Sequence, residues 1–336
     1  MVFERPALKD YDILFEILFC GVCHSDIHVL KNEWKNTKYP IITGHEMTGV
    51  VLKVGSSVTK FIVGDRVALS PLYNSCRRCQ LCNNKEEQYC LNGYTETYNF
   101  PERLPSDINR PSGPITQGGH SNVMVAHEPY LLKLPDNLPF DKAAPLLCAG
   151  TTVYNALNSL NLAQGQTLGI AGIGGLGHLL IKIAKAKGLK VVALTTTEWK
   201  LQDSLRLGAD KSVLMKDLEQ LDLMQNTLDG IIDTIPFKHD LDPYVKLIKI
   251  HKTVCVVGAL FTLAPDFDWA IREGKQIRGW NIGSVDQTKE CLDFCSVNNI
   301  LPDIHVIKLN DLNGVRDKLV KSQAKYRFVI DIKSSL

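Results

Sequence analysis

Residues 167–194 set the tightest constraint on this chain. An apolar run, Thr167-Leu-Gly-Ile-Ala171, leads into Gly172-Ile-Gly174-Gly175-Leu176-Gly177; a helical stretch and a second apolar run, Lys190-Val-Val-Ala-Leu194, follow. In the helical stretch Leu176, Leu179, Leu180, Ile183 and Ala184 recur at helical spacing as one apolar face, and Gly188 ends it. Strand, glycine turn, helix and strand make a βαβ unit, whose parallel strands need helices covering the sheet. In that setting the glycines have separate duties. Gly172 permits a tight turn, Gly174 lets the backbone approach a pyrophosphate, and Gly177 lets the helix pack close to the strand. The helix N-terminus offers N–H groups and partial positive charge to phosphates. Gly172, Gly174, Gly175, Leu176 and Gly177 are therefore expected to cradle a dinucleotide.

The end of the second strand decides which dinucleotide. A unit that binds NAD places an acidic residue there for the ribose 2′-OH. This chain has Thr195, Thr196 and Thr197, then Glu198, Trp199 and Lys200. Hydroxyls donate to a 2′-phosphate and Lys200 pairs with it, which favours NADP. The competing reading has Glu198 reaching a plain ribose.

The 336 residues allow about two domains. Before about residue 145, short β-branched runs such as Thr48–Val54 and Asp65–Ser70 read as an irregular antiparallel region, with an excursion loop from Phe100 to Gly119. After residue 150 helices alternate with buried strands, including Gly230–Thr234 and Thr253–Val257. From about Lys289 the tail reads helix, strand, helix and a last strand at Tyr326–Ile332. A net charge of +2 gives no electrostatic case for nucleic acid or anionic membrane. No apolar run is long enough to span a bilayer, and the first residues lack a secretory layout, so a cytoplasmic protein is expected.

Ten cysteines in a reducing compartment point to metal rather than disulfides. Cys76, Cys79, Cys82 and Cys90 offer four thiolates in one loop, enough to close a tetrahedron around a structural zinc. Arg77, Arg78 and Lys85 lie between them and offset the charge. The bacterial iron–sulfur run begins alike, but the seven-residue gap before Cys90 and the lack of a following proline separate the two. A second set is scattered: Cys23, His45 with Glu46, and Cys148. Singly each reads as a core or hydrogen-bonded residue. Two Cys and one His together form a catalytic zinc set that leaves a fourth position open.

Eight stretches in order along the chain resemble the zinc-dependent medium-chain alcohol dehydrogenases, in particular their cinnamyl alcohol dehydrogenase-like, NADP-dependent branch. They are G-V-C-H-S-D-I-H (21–28), G-H-E (44–46), the cysteine loop (76–90), Q-G-G (117–119), A-P-L-L-C-A-G-T-T-V-Y (144–154), G-I-G-G-L-G-H (172–178), I-G-S (282–284) and Y-R-F-V (326–329). The resemblance implies an α/β protein with a GroES-like β-rich catalytic domain and a doubly wound Rossmann domain. The expected bounds are 1–148 for the catalytic domain with zinc loop 76–90, 149–287 for the NADP-binding domain, and 288–336 for the return to the catalytic domain. It implies a catalytic zinc on Cys23, His45 and Cys148, with Glu46 able to enter or leave the metal shell. Ser25 would pass the proton and His28 would be the outer relay. His24 would sit near the pyrophosphate and Thr152 near the nicotinamide, with Gly283 and Ser284 also at the cofactor. Two zinc ions, NADP, a small alcohol or aldehyde substrate and a homodimer complete the expectation.

Three features depart from the family. The resemblance starts at about Pro6, where relatives carry a further strand or two, so an unpaired edge in the first sheet is expected. The loop from Tyr98 to Gln117 is longer. Gly279-Trp280-Asn281 stands where relatives usually carry smaller or differently ordered side chains. The expected reaction interconverts a primary alcohol and its aldehyde. Aromatic or allylic substrates would have Trp34, Tyr94, Tyr98 and Trp280 as pocket walls, against the alternative that these rings simply pack. The competing functions are a C=C reductase on the same scaffold and an NADP-binding protein without catalysis.

Overall fold

Strand Asp12–Val22 turns Ile13, Phe15 and Ile17 into a core and is wholly buried from Cys20 onward. The computed structural model describes residues 3–104, 109–258, 268–320 and 324–335, without the side chains of Trp269 and Val320. The chain forms two compact units, residues 1–151 with 283–336, and residues 152–282.

In the first unit, Asp12–Val22 pairs antiparallel along one side with Met47–Val54. Its other side is shared: Val123–His127 takes Asp12–Glu16, and Arg327–Asp331 takes Phe19–Val22. The strand is thus paired along both sides. Arg66–Leu69 and Leu131–Lys133 extend the sheet one way, and Ile304–Ile307, parallel to Arg327–Asp331, extends it the other way. Register then fixes the site. Val22 pairs with Phe328, so Cys23 and Arg327 leave the sheet at the same end. Cys20 pairs with Met47, and the Gly21 N–H donates to the Glu46 carbonyl, so Gly44-His45-Glu46 runs beside Gly21 and Val22.

The second unit is a six-stranded parallel sheet. Its order is Lys211–Leu214, Lys190–Thr195, Thr167–Ala171, Gly230–Asp233, Thr253–Val256 and Gln276–Gly279. This is the doubly wound order, in which a ligand binds beyond the carboxyl ends of the strands where the winding reverses. Helix Gly177–Ala186 buries Leu179, Leu180, Ile183 and Ala184 as its spacing requires. Leu176 does not join that face: it lies at the helix N-cap, half-exposed in the glycine turn.

The units divide a few residues from the expected bounds, for a packing reason. The first turn of helix Ala149–Ser159 belongs with the catalytic unit, where Gly150 lies against Leu146 and Cys291, and the Thr151 and Thr288 hydroxyls are 3.2 Å apart. Helix Val285–Val297 is held there as well, by Gln88 donating to Gln287 and Asn137 to the Ser296 carbonyl. Gly283 and Ser284 accordingly fall in the catalytic unit rather than in the nucleotide unit. Of the excursion loop, residues 105–108 lie outside the described residues; the rest is closed by a bridge between Pro101 and Ile115.

At the carboxyl end of Gly230–Asp233 the buried Asp233 accepts from the Ile235 N–H and stands 2.9 Å from His239 Nε2. This carboxylate raises the His239 pKa above its ordinary 6.5, against the opposing effect of burial. A raised folded-state pKa gives stability that is fully present below pH 6.5 and is lost as pH rises through the raised value. Asp233→Asn keeps the acceptor for Ile235 and removes the charge. It should lower stability at pH 6 by about 1 kcal/mol more than at pH 9; denaturant unfolding at the two values measures this, and an equal loss at both refutes it.

Candidate functional site

Helix His24–Leu30 begins at Cys23, and its start is organised by Asp26. The wholly buried Asp26 carboxylate accepts from the Cys23 N–H at 2.8 Å and from the Gly44 N–H at 2.9 Å. One acidic side chain thereby ties the two stretches that carry Cys23 and His45. Cys148 arrives between the short helical turn Ala144–Leu147 and helix Ala149–Ser159. The side chains of Cys23, His45, Glu46 and Cys148 each offer an atom within 4.8 Å of the others, and all four residues are buried.

These donors fit zinc. Cys23 Sγ and Cys148 Sγ lie 4.0 Å apart, too far for a disulfide, and close to the ~3.8 Å that two thiolates span on tetrahedral zinc at ~2.3 Å. His45 Nε2 is buried with no hydrogen-bond partner in the protein, while Nδ1 is engaged by Tyr98 Oη at 3.0 Å. Glu46 Oε1 accepts from Arg327, and Oε2 is buried without a partner. Glu46 is 0% exposed and Arg327 3%, so the pair is fully enclosed.

The charges reinforce one another. The Cys148 thiol hydrogen-bonds Cys23, and with His45 this outweighs burial and pulls the Cys23 thiol well below its usual range. The same contact, with burial, pushes Cys148 upward. Burial opposes a charge on His45, but Asp26 and the Cys23 thiolate win and raise it to about 10. Burial also raises Glu46, against the pull of Arg327.

Ser25 and His28 are three residues apart on one helix face. Ser25 Oγ is 3.7 Å from Cys23 Sγ. His28, expected as the outermost relay, is itself buried at 4% exposure, stacked on Trp34 at 5.5 Å, and its Nδ1 bonds the Glu33 carboxylate. Glu33 is about one-third exposed, so His28 is linked through it to solvent.

Cys76, Cys79, Cys82 and Cys90 also converge within 4.8 Å. Cys76–Cys82 and Cys79–Cys90 sulfur separations are 3.9 and 4.0 Å, as a tetrahedral ion requires. The basic side chains of this loop turn away from the sulfurs: Arg77 to His127, Arg78 to Asn109, and Lys85 to Asp286. Sulfur charge is met instead by backbone N–H groups, Cys76 and Leu91 among the donors. Burial raises the Cys76 thiol, but N–H groups of Arg78 and Cys79 and the Asn92 side chain outweigh it and hold it at about 6.

The nucleotide unit has the cradle its glycines imply. Gly172 has φ +83°, and a Cβ on Gly177 would stand 2.1 Å from the Gly172 carbonyl oxygen. A Cβ on Gly174 would meet nothing within 4 Å, so the backbone there is open to an incoming group. Gly175 and Leu176, beside it, are half-exposed. At the end of Lys190–Thr195, Thr195 is buried and accepts from the Thr197 N–H, while Thr196 is exposed and Thr197 half-exposed. Lys200 is only 8% exposed, with its ammonium 5.4 Å from the Trp199 ring centroid; no carboxylate pairs with it among the described residues. Burial alone lowers its pKa. Glu198 is turned to Lys216 at 2.6 Å. A buried cation without a carboxylate partner among the described residues, shortly after the strand-end threonines in sequence, fits a 2′-phosphate.

The remaining sequence-derived residues have visible local duties. His24 Nε2 lies 3.2 Å from the Leu319 carbonyl. Thr152 is buried, and the Ser284 hydroxyl caps helix Val285–Val297 by accepting from the Gln287 N–H. The four aromatics packed as follows: Trp34 on His28, Tyr94 on Phe100, Tyr98 on His45, and Trp280 under Arg278. Sequence reasoning missed Asp26, Glu33, Glu96, Tyr98 as a partner of His45, and Arg327. Asp26 and Arg327 lie in stretches already singled out, G-V-C-H-S-D-I-H and Y-R-F-V. Glu96, hydrogen-bonded by Tyr94, is raised to about 7 by burial.

Residues 9–136 match the alcohol dehydrogenase GroES-like domain, and residues 175–296 match the zinc-binding dehydrogenase domain. A "probable zinc-type alcohol dehydrogenase-like protein" of Acanthamoeba polyphaga mimivirus is 45% identical over 100% of this chain and 79% of its own length. The structure of a cinnamyl alcohol dehydrogenase from Sorghum bicolor superposes with a TM-score of 0.95 at 38% identity, covering 99% of this chain and 94% of that one. A cinnamyl alcohol dehydrogenase from Helicobacter pylori, solved as a complex with NADP(H), gives 0.90 at 35% identity over the same shares. With that sheet order, that donor set and these likenesses, the chain belongs to the zinc-dependent medium-chain alcohol dehydrogenase family.

Proposed function

We propose that this alcohol dehydrogenase uses NADP(H) to interconvert a primary alcohol and its aldehyde, with aromatic or allylic aldehydes as the substrate class. The observation that carries the cofactor choice is Lys200, a buried cation without a carboxylate partner among the described residues, while Glu198 is spent on Lys216. The substrate class rests on the cinnamyl alcohol dehydrogenase likenesses. Cys23, His45 and Cys148 would hold a catalytic zinc, with Glu46 as an alternative ligand, and Cys76, Cys79, Cys82 and Cys90 a structural one. When bound, zinc supplies Lewis acidity toward the substrate oxygen and the nicotinamide supplies or accepts hydride.

The chain's own residues manage the proton and the charge. Ser25 hands the proton to His28, and His28 hands it to Glu33, whose carboxylate reaches solvent. Arg327 holds Glu46 Oε1 and favours its charged form against the effect of burial. A reductase of conjugated C=C bonds has no need to carry a hydroxyl proton outward, so the Ser25–His28–Glu33 series favours carbonyl chemistry. A cytoplasmic homodimer is the state the cysteine chemistry and the family resemblance support. No helix among the described residues is long and apolar enough to cross a membrane.

Metal analysis should give about two zinc per chain, and Cys148→Ser about one, because a hydroxyl that is neutral near pH 7 replaces a soft thiolate. That variant should stay folded, bind NADPH and turn over no aldehyde. Full zinc content with normal turnover would remove Cys148 from the centre.

Lys200→Ala should weaken NADPH binding by about 10- to 100-fold, the loss of a charge-assisted hydrogen bond of ~1.5–3 kcal/mol, and leave NADH nearly unchanged. Titration of cofactor fluorescence measures both. Equal loss for the two cofactors shows that Lys200 does not read the 2′ position.

Glu33→Gln should keep both zincs and slow turnover by up to about 10²-fold, with a larger solvent isotope effect. Unchanged rate and isotope effect would place the proton's exit elsewhere.

A further inference from the structure

We propose that Tyr98 is a positioning residue for the metal centre: its hydroxyl accepts the Nδ1–H of His45 and so leaves the Nε2 lone pair to face the thiolates. The inference rests on the reading of His45 as a zinc ligand and names what orients it.

The geometry leaves little choice of partner. Tyr98 Oη is 3.0 Å from His45 Nδ1, and the two rings stack at 5.5 Å with 28° between their planes. Both residues are buried, at 2% and 3% exposure, so solvent does not compete. Among the described residues, the carboxylate paired with this nitrogen is Asp26, whose Oδ1 is 3.8 Å away and whose two oxygens already accept from the Gly44 and Cys23 N–H groups. His45 Nε2, by contrast, lies 3.8 Å from Glu46 Oε1. A histidine that binds a metal through Nε2 keeps its proton on Nδ1, and a hydroxyl oxygen can accept it. A metal at Nε2 displaces the proton there, and the Nδ1–H that remains is held by Tyr98 Oη. Nε2 is buried without a hydrogen-bond partner among the described residues, in the group formed with Cys23, Cys148 and Glu46.

A ring held on one face by stacking and at one nitrogen by a hydrogen bond has lost its rotation before a metal arrives. Such outer contacts typically change metal affinity by about 10- to 100-fold.

Tyr98→Phe keeps the ring and removes the bond. Chelator competition on the zinc-loaded variant should show one site weakened about 10- to 100-fold and the four-thiolate site unchanged. In the wild-type protein, imidazole 15N shifts should report His45 as protonated at Nδ1 and metallated at Nε2, and the Nδ1 proton should exchange slowly with solvent. In the variant that proton should exchange fast. Wild-type affinity together with a still-protected proton in Tyr98→Phe overturns the proposal, and so does an Nε2-protonated His45 in the wild type, a measurement that does not depend on the variant folding. If the wild-type protein itself binds only one zinc, the assignment of the catalytic centre fails. If it binds two and the variant matches it, only the role of Tyr98 fails.

Discussion

The negative charge on Glu46 has no exposed surface through which to reach water, and the structure meets it with the Arg327 guanidinium. Breaking such a pair by removing one member costs about 3–5 kcal/mol, because the survivor is left charged and dry. The contact joins residues from opposite ends of the sequence and can form only if strand Arg327–Asp331 lies against Asp12–Val22 in the observed register. The rest of the centre follows. With Arg327 in place, the dense group of Cys23, Glu46 and Asp26 can sit together, and His45 adds the second cation. The pair stabilises little by itself; it makes an otherwise repulsive set of donors tolerable.

The cysteine loop solves the same problem differently. Its four sulfurs draw on backbone N–H groups, and its basic side chains are spent on the surrounding surface. This lobe is also stitched to its neighbours. Arg103, from the long excursion loop, donates to the carbonyls of Asn92 and Gly93 just past Cys90, and Gln88 reaches Gln287. A metal that rigidifies residues 76–90 therefore steadies the base of the excursion loop as well, although no donor comes from that loop. In the nucleotide unit Lys200 is buried, with no carboxylate partner among the described residues.

What could be read from the sequence was whatever is local. The glycine turn, its flanking strands and the four-cysteine spacing each lie within a few tens of residues, and their chemistry follows from spacing alone. The scattered donors Cys23, His45 and Cys148 became a set only through likeness to a family, since nothing in the spacing of distant residues says that they meet. Arg327 and Tyr98 were harder still: their contacts are decided by strand register and by which way a buried ring faces. Composition could mark Tyr98 as aromatic but not distinguish a pocket wall from a ring behind His45. Glu33 escaped because it lies past the helix end, where Asn32 at φ 53° turns the chain back toward His28. Leu176 kept its helical spacing yet left the core, because the turn that holds it had a different purpose.

The late position of Arg327 has a consequence for biosynthesis. A nascent chain presents its metal donors and its nucleotide cradle in order, and domains begin to fold as they emerge. All the sulfur and imidazole donors precede residue 150, so they leave the ribosome with more than half the chain still to come. Throughout that interval one side of Asp12–Val22, from Phe19 to Val22, has no strand to pair with, and Glu46 must stay hydrated or take up a proton. The centre closes when the final strand is delivered. A product lacking residue 327 would hold all four of Cys23, His45, Glu46 and Cys148 and the strands of the nucleotide unit, yet lack the counter-charge to Glu46.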